Sequence, residues 1–187
     1  MVQFTNSLDS LMFQKKGKSR CINQENPRGE KGKGGMAAGS LGPGRKGSPC
    51  MEEIAPGETR VLAEMEGPGV IQHIWMTVTD RTEKDYYVLR DLVLRIYWDD
   101  EEEPSVESPL GDFFCCGFAR GCMVNSLPIV VNPSRGFNSY FQMPFRKKAR
   151  ITLENQHEAE IPAFFYQVEY TLYDEIPEDV AYFHAQW

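Results

Sequence analysis

The chain has 187 residues, a net charge of −7 and a pI near 5.1. This acidic balance excludes nucleic acid as the main partner, because binding phosphates needs a positive face. With 41% hydrophobic and 12% aromatic residues, the chain can bury a core, which excludes a disordered polypeptide and makes one domain the default.

The N-terminal MVQFTNSLDSLMFQKK has no apolar stretch leading to a small-residue cleavage site. No apolar run is long enough to span a bilayer. The expectation is a cytoplasmic protein with no membrane partner. Within this segment, residues 7–16 predict a short helix with Leu8, Leu11 and Met12 on one face. Next comes SRCINQENPRGEKGKGG (residues 19–35). A phosphate loop would need Gly-x-x-x-x-Gly-Lys-Ser/Thr running from a strand into a helix. Here Lys33 precedes Gly34 and Lys46 precedes Gly47, with neither element in place. Two alternatives stand. One is a solvated tail; the other is an ordered loop whose Glu, Asn and Lys side chains converge on a polar, hydroxyl-bearing ligand. Residues 29–47 hold eight of the sixteen glycines and no periodic apolar face, so they are loop. Composition changes near residue 50. The chain divides into an N-terminal arm with a Gly-rich polar loop (1–50) and a β-domain (51–187).

From about residue 59 the apolar period is two. VIQHIWMTV (70–78) places Val70, Ile74, Met76 and Val78 on one face and Ile71, His73, Trp75 and Thr77 on the other, as in a central strand. In 91–98, Leu92, Leu94, Ile96 and Trp98 point one way. In 137–145 the apolar set is Phe137, Phe141, Met143 and Phe145. In 149–153, Ala149, Ile151 and Leu153 alternate with Arg150 and Thr152. In 164–172, Phe164, Tyr166, Val168, Tyr170 and Leu172 oppose Gln167, Glu169 and Thr171. Turn signals separate the segments: residues 66–69, the acidic run 99–104, residues 132–136 and residues 155–157. Roughly eight strands without crossover helices predict an all-β fold, an antiparallel two-sheet sandwich of the jelly-roll kind with an irregular Gly-rich N-terminal segment.

SPLGDFFCCGF (108–118) puts Asp112 beside Phe113 and Phe114 at a strand end, with Gly111 permitting close approach. A carboxylate flanked by aromatics can hold a sugar ring; equally, Asp112 can cap the turn of a buried corner. His73 and Trp75 share a strand face, where Trp is core and His a hydrogen-bonded structural group. Cys21, Cys50, Cys115, Cys116 and Cys122 form no regular framework, no CxxC pair occurs, and the histidines are His73, His157 and His184. No disulfide scaffold, metal site or cofactor is therefore expected. No thiol chemistry is assigned either, since only Arg120 stands near as an activating cation. The run Asp99–Glu103 lacks the spacing of a calcium loop and predicts a solvated hairpin tip. The strand pattern spreads RKKAR (146–150) over two faces.

Five strings in order carry a resemblance: NQENPRGEKGKGGMA, MEGPGVIQHIWMT, LRIYWDDEEEPSVESPLGDFF, NPSRGFNSYFQMPFRKKARITLEN and YQVEYTLYDEIPEDVAYFHAQW. From about residue 19 to the end the chain resembles glycoside hydrolase family 172. The resemblance implies a jelly roll, a place in bacterial carbohydrate metabolism, retaining activity on furanosides such as α-fructofuranosides or α-arabinofuranosides, and assembly as trimers or their multiples. Members of that family carry a second jelly roll. Its glutamates lie in Trp-Gly-Glu-Gly-Glu and Gly-Thr-Gly-Thr-Glu-Asp-Tyr stretches, and neither string occurs here. The resemblance thus implies the N-terminal half of such an enzyme, with no catalytic residue of its own. The missing half or a neighbouring copy would complete its site, and a free-standing carbohydrate-binding or assembly module is the alternative. The expected furanoside-binding residues are Glu25, Asn26, Lys31, Lys33, Asp112 and Phe113, with the 19–35 loop as a lip over the site.

Overall fold

The computed structural model describes Met12, residues 16–35 and residues 50–187. Of the expected 7–16 helix only Met12 and Lys16 fall within that range. The glycines of the 29–47 run beyond Gly35 lie outside it.

The elements begin with β1 (Lys18–Ile22), β2 (Met51–Ile54), β3 (Thr59–Glu66) and β4 (Gly69–Thr77). A single-turn helix α1 (Val88–Asp91) leads into β5 (Leu92–Trp98) and β6 (Val106–Pro109), and a second such turn, α2 (Leu110–Phe113), follows. Short strands β7 (Val124–Asn125), β8 (Ile129–Val131), β9 (Phe137–Ser139) and β10 (Met143–Phe145) come next. The long β11 (Lys148–Asn155) and β12 (Ile161–Leu172) precede β13 (Ala185–Gln186).

Eight strands form one sheet in the order β1-β12-β4-β9-β8-β7, with β2 beside β12 and β10 beside β4. The other five form a second sheet in the order β13-β6-β5-β11-β3. All pairs are antiparallel except β13 with β6. The chain changes sheet between β2 and β3, β3 and β4, β4 and β5, β6 and β7, β10 and β11, β11 and β12, and β12 and β13. The result is the expected β-sandwich, its inward-facing side chains meeting in one core.

Alternation places that core as expected over most of the chain. Leu92, Leu94, Ile96 and Trp98 of β5 are buried, as are Ala149, Ile151 and Leu153 of β11 and Phe164, Tyr166, Val168 and Tyr170 of β12. Two segments depart from simple period two, and they do so side by side. In the β4–β12 pair, His73 faces Glu169 but Ile71 faces Tyr170, so β4 carries one extra residue. This bulge moves Ile71 into the main core with Ile74, Met76 and Val78, and leaves Val70, expected there, buried outside that cluster. The 137–145 segment, expected as one strand, is interrupted: β9 lies along Ile74–Met76 and β10 along Gly69–Ile71 of the same β4. The interruption at residues 140–142 therefore falls opposite the bulge.

The acidic tip differs from the expectation at one residue. Glu101, Glu102 and Glu103 are exposed, but the Asp99 carboxylate turns inward. It accepts the backbone N–H groups of Arg146 (3.0 Å), Lys147 (2.6 Å) and Lys148 (3.0 Å), and the Tyr182 hydroxyl. Arg146, first of the basic run, is likewise no solvated cation. Its Nη2 donates to the carbonyls of Pro177, Glu178 and Val180, and its guanidinium lies 4.8 Å from the Tyr182 ring centre. Asp99 and Arg146 thus fasten the C-terminal segment to the β5–β6 hairpin end and to the β10–β11 turn. Among the described residues no helix is long and apolar enough to cross a membrane.

Candidate functional site

The 19–35 loop is built by two asparagines. Asn23 Oδ1 accepts the N–H groups of Glu25 and Asn26, both at 2.9 Å. The Asn26 amide then grips the far side of the loop, with Nδ2 donating to the Glu30 carbonyl and Oδ1 accepting the Glu30 N–H, each at 3.0 Å. Such side-chain mimicry of backbone turns is what Asx residues do in the absence of a ladder. The loop sits on β12: Gln24 Nε2 donates to the Tyr166 hydroxyl at 3.2 Å. Gly29 has φ +61°, and a Cβ there would stand 2.6 Å from the Tyr170 hydroxyl and 3.0 Å from Ile22 Cγ1. Gly29→Ala is therefore expected to cost about 1–3 kcal/mol, from left-handed backbone strain plus the clash. Chemical denaturation measures the cost, and faster trypsin cleavage at Arg28 and Lys31 reports a loop lifted off Tyr170; unchanged values on both would contradict this seating.

The expected site residues divide between two places. Asn26 is buried and spent on the loop, Glu25 is half-buried, and Lys31 and Lys33 are exposed on the same loop. Asp112 and Phe113 belong to α2, against β5, β6 and α1. Both Asp112 oxygens accept from Arg90 Nη1, at 2.7 and 2.8 Å, and the same guanidinium lies 4.7 Å from the Trp187 ring centre. Phe113 is core, edge-on to Phe114 at 5.0 Å. Gly111 supplies the close approach anticipated for it: a Cβ would meet the Cys116 carbonyl at 2.9 Å. The loop is thus anchored in the larger sheet and Asp112 at the smaller one.

A third group emerges from cross-strand register. Directly opposed residues of antiparallel strands share a sheet face. Cys21 opposes Glu169, and Glu169 opposes His73. One step along, Gln167 opposes Trp75 and Trp75 opposes Asn138. Their chain neighbours Val168, Ile74, Met76 and Phe137 point into the core, so these two rows lie on the outer face of the larger sheet. Gln167 Nε2 donates to Glu169 Oε1 at 2.6 Å, and His73 Nδ1 lies 3.5 Å from Glu169 Oε2. His73 Nε2 meets Asn138 Oδ1 at 3.1 Å, while Asn138 Nδ2 donates to the Val130 and Gly136 carbonyls. Because that amide nitrogen is committed as a donor, Oδ1 is the acceptor, and His73 carries its proton on Nε2. Tyr140, at the interruption between β9 and β10, stacks on the His73 ring at 4.7 Å and 8°. The bulge and the interruption thus put an aromatic ring beside a carboxylate, two amides, an imidazole and the half-buried Trp75.

This face combines flat apolar surface with planar donors and acceptors, the complement of a sugar ring's CH faces and hydroxyls. The outer face of the smaller sheet has a different chemistry: Arg95 bridges Glu107 (2.5 Å) and Glu154 (2.6 Å), and Arg150 covers Tyr97. Sequence reasoning assigned His73 and Trp75 to structure and left Glu169, Gln167, Asn138 and Tyr140 without a role. The available signal was Gln167 and Glu169 recurring at the outward positions of an otherwise apolar strand.

Among the described residues one grouping has side chains that could ligate a metal: Asp85, Asp91 and His157, with ligand atoms within 4.8 Å of one another. Each already has protein partners. His157 Nδ1 donates to Asp91 Oδ2 at 2.8 Å, its Nε2 is hydrogen-bonded with the Thr82 hydroxyl at 2.8 Å, and Asp85 Oδ1 accepts the Tyr87 N–H at 2.9 Å. The geometry is that of a clasp holding the 79–91 segment to the turn between β11 and β12.

Comparison with known families shows that the family model described as GH172 first beta-sandwich domain matches residues 18–186. No curated protein matches the chain.

Proposed function

Because the chain belongs to glycoside hydrolase family 172, through that family's first β-sandwich domain, we propose that it is the N-terminal, substrate-handling half of a furanoside-directed glycoside hydrolase. The observation that carries this reading beyond family membership is the polar and aromatic outer face of the larger sheet. There Trp75 and Tyr140 supply ring surfaces, and Glu169, Gln167 and Asn138 supply hydroxyl partners. Glu25, Lys31 and Lys33 act at the rim of the furanoside site. Asn26 shapes the loop, and Asp112 with Phe113 braces the far corner. Cleavage of glycosides takes a pair of carboxylates at fixed separation across the bond; in this proposal a second jelly roll, or a neighbouring copy in a trimer or multiple of trimers, brings them. The chain acts in the cytoplasm and by itself binds without cleaving.

The test is titration of the chain with arabinofuranosyl and fructofuranosyl oligosaccharides by calorimetry. Trp75→Ala and Glu169→Ala are each expected to weaken binding about tenfold, the loss of roughly 1.4 kcal/mol of stacking or charge-assisted hydrogen bonding. Melting curves of both variants control for folding. Wild-type affinity in both folded variants would overturn the assignment of this face, as would a wild-type chain that binds neither sugar. Release of p-nitrophenol from p-nitrophenyl furanosides by this chain would overturn the claim that it does not cleave.

A further inference from the structure

Three cysteines lie on the turn that follows α2. Cys116 is buried and Cys122 is exposed, yet their Sγ atoms lie 3.4 Å apart. The contact is reinforced in both directions: Cys116 Sγ also lies 3.8 Å from the Cys122 carbonyl, and Cys122 Sγ lies 3.8 Å from the Cys115 carbonyl. A disulfide bond is about 2.05 Å long, so closing the pair needs a further approach of about 1.4 Å within one short turn. Cys115 is held at φ +63° and is exposed. The turn between the two thiols includes Gly117, whose carbonyl faces Arg90 Nη1 at 3.4 Å, Phe118, which is 96% exposed, and Arg120 over Tyr86.

We propose that Cys116 and Cys122 are a reversible thiol–disulfide modification site, oxidised by exchange with a small-molecule disulfide. The exposed Cys122 thiolate attacks one sulfur of the small disulfide, its S–S bond breaks, and one small thiolate leaves. Cys116 then loses its proton to solvent and attacks Cys122 Sγ. The Cys116–Cys122 bond forms and the second small thiolate leaves. Both departing thiolates take up protons. The protein gives up two electrons and the small disulfide is reduced to two thiols. Burial pushes the Cys116 thiol up to about 11, so the second step draws on a small thiolate fraction that grows with pH. The product is a closed ring at the turn that faces Arg90, the guanidinium holding Asp112. This inference rests on the thiol geometry alone and is independent of the sugar-binding proposal.

The experiment incubates the reduced chain with oxidised glutathione and follows it by thiol titration and peptide mass mapping. Trypsin cuts after Arg95, Arg120 and Arg135, so Cys116 and Cys122 fall in separate peptides, residues 96–120 and 121–135. Wild type is expected to yield these peptides as a linked pair that dithiothreitol separates, with thiol titration counting any further thiols that glutathione caps. Cys115→Ser keeps the link. Cys116→Ser halts at the glutathione adduct on Cys122, and Cys122→Ser forms neither. In Cys115→Ser, ring closure quickens about tenfold per pH unit below the Cys116 pKa. A wild-type chain in which these peptides stay unlinked, a link that persists in Cys116→Ser through Cys115, or a closure rate flat with pH would each overturn the proposal. Cys122→Ser changes an exposed side chain, so the folded state remains available for comparison even if the buried Cys116 variant is unstable.

Discussion

Replacing His157 by alanine should remove about 3–4 kcal/mol of stability, through a cavity in place of a fully buried ring and the loss of both its ring bonds. The His157 side chain is 0% exposed. It is also held from behind, because its backbone N–H donates to Asn155 Oδ1, and Asn155 Nδ2 ties β2 and the following turn through the Ile54 and Ala159 carbonyls. One substitution therefore loosens the Thr82–Asp91 segment, the β11–β12 turn and the β2 end together. Urea denaturation reads the loss, and hydrogen exchange should show it concentrated at residues 79–91 and 155–160. A loss below about 1 kcal/mol, the value expected of a replaceable surface group, would mean the clasp is not formed. His157→Gln, which can reach one of the two partners, should recover part of the deficit.

Asp99→Ala is expected to cost about 2–4 kcal/mol, since three backbone N–H groups and the Tyr182 hydroxyl share that carboxylate. Partial burial pushes the Asp99 carboxyl up, but the bonds from Tyr182 and from the Lys147, Lys148 and Arg146 backbone outweigh it, and its pKa lies below the usual aspartate value. The sign of the pH dependence follows. A depressed folded pKa contributes stability that is complete above the unfolded value of about 3.9 and is lost as pH falls through the folded one. Asp99→Asn keeps Oδ1 as an acceptor but turns an amide N–H₂ toward the Arg146 N–H, which also approaches Oδ2 at 3.2 Å. Its deficit relative to wild type should be largest near neutral pH and shrink below about pH 4. Thermal melts of the pair across that range measure it, and a gap that stays constant to low pH would show that the charge of Asp99 contributes nothing. Because Arg146 and Tyr182 meet at the same point, the Asp99→Ala chain should also expose residues 177–187 to protease.

Both anchors were visible in the sequence only as residue types. Asp99 stood in an acidic run whose other members do face solvent, and composition alone cannot single out the one that turns inward. That choice depends on the β10–β11 turn arriving with three N–H groups aligned on one point. His157 stood in a turn signal, and its partners Thr82 and Asp91 lie far back in the chain. The cysteine cluster was legible as a cluster, but the 3.4 Å approach of Cys116 and Cys122 depends on the path of the turn after α2.

The sequence by itself determined that two faces exist and, outside β4 and the 137–145 segment, which side chains fill the space between them. Alternation over 91–98, 149–153 and 164–172 is a local property, and burial of one face follows from it whatever the strand order. Only the tertiary structure decided which outward side chains become neighbours. Glu169, His73 and Tyr140 meet because β12, β4 and the β9–β10 break lie side by side with a bulge in register. Strand order and register are set by contacts among residues distant in the chain. Period two is unchanged when strands exchange places, so it carries no record of which partner each strand takes.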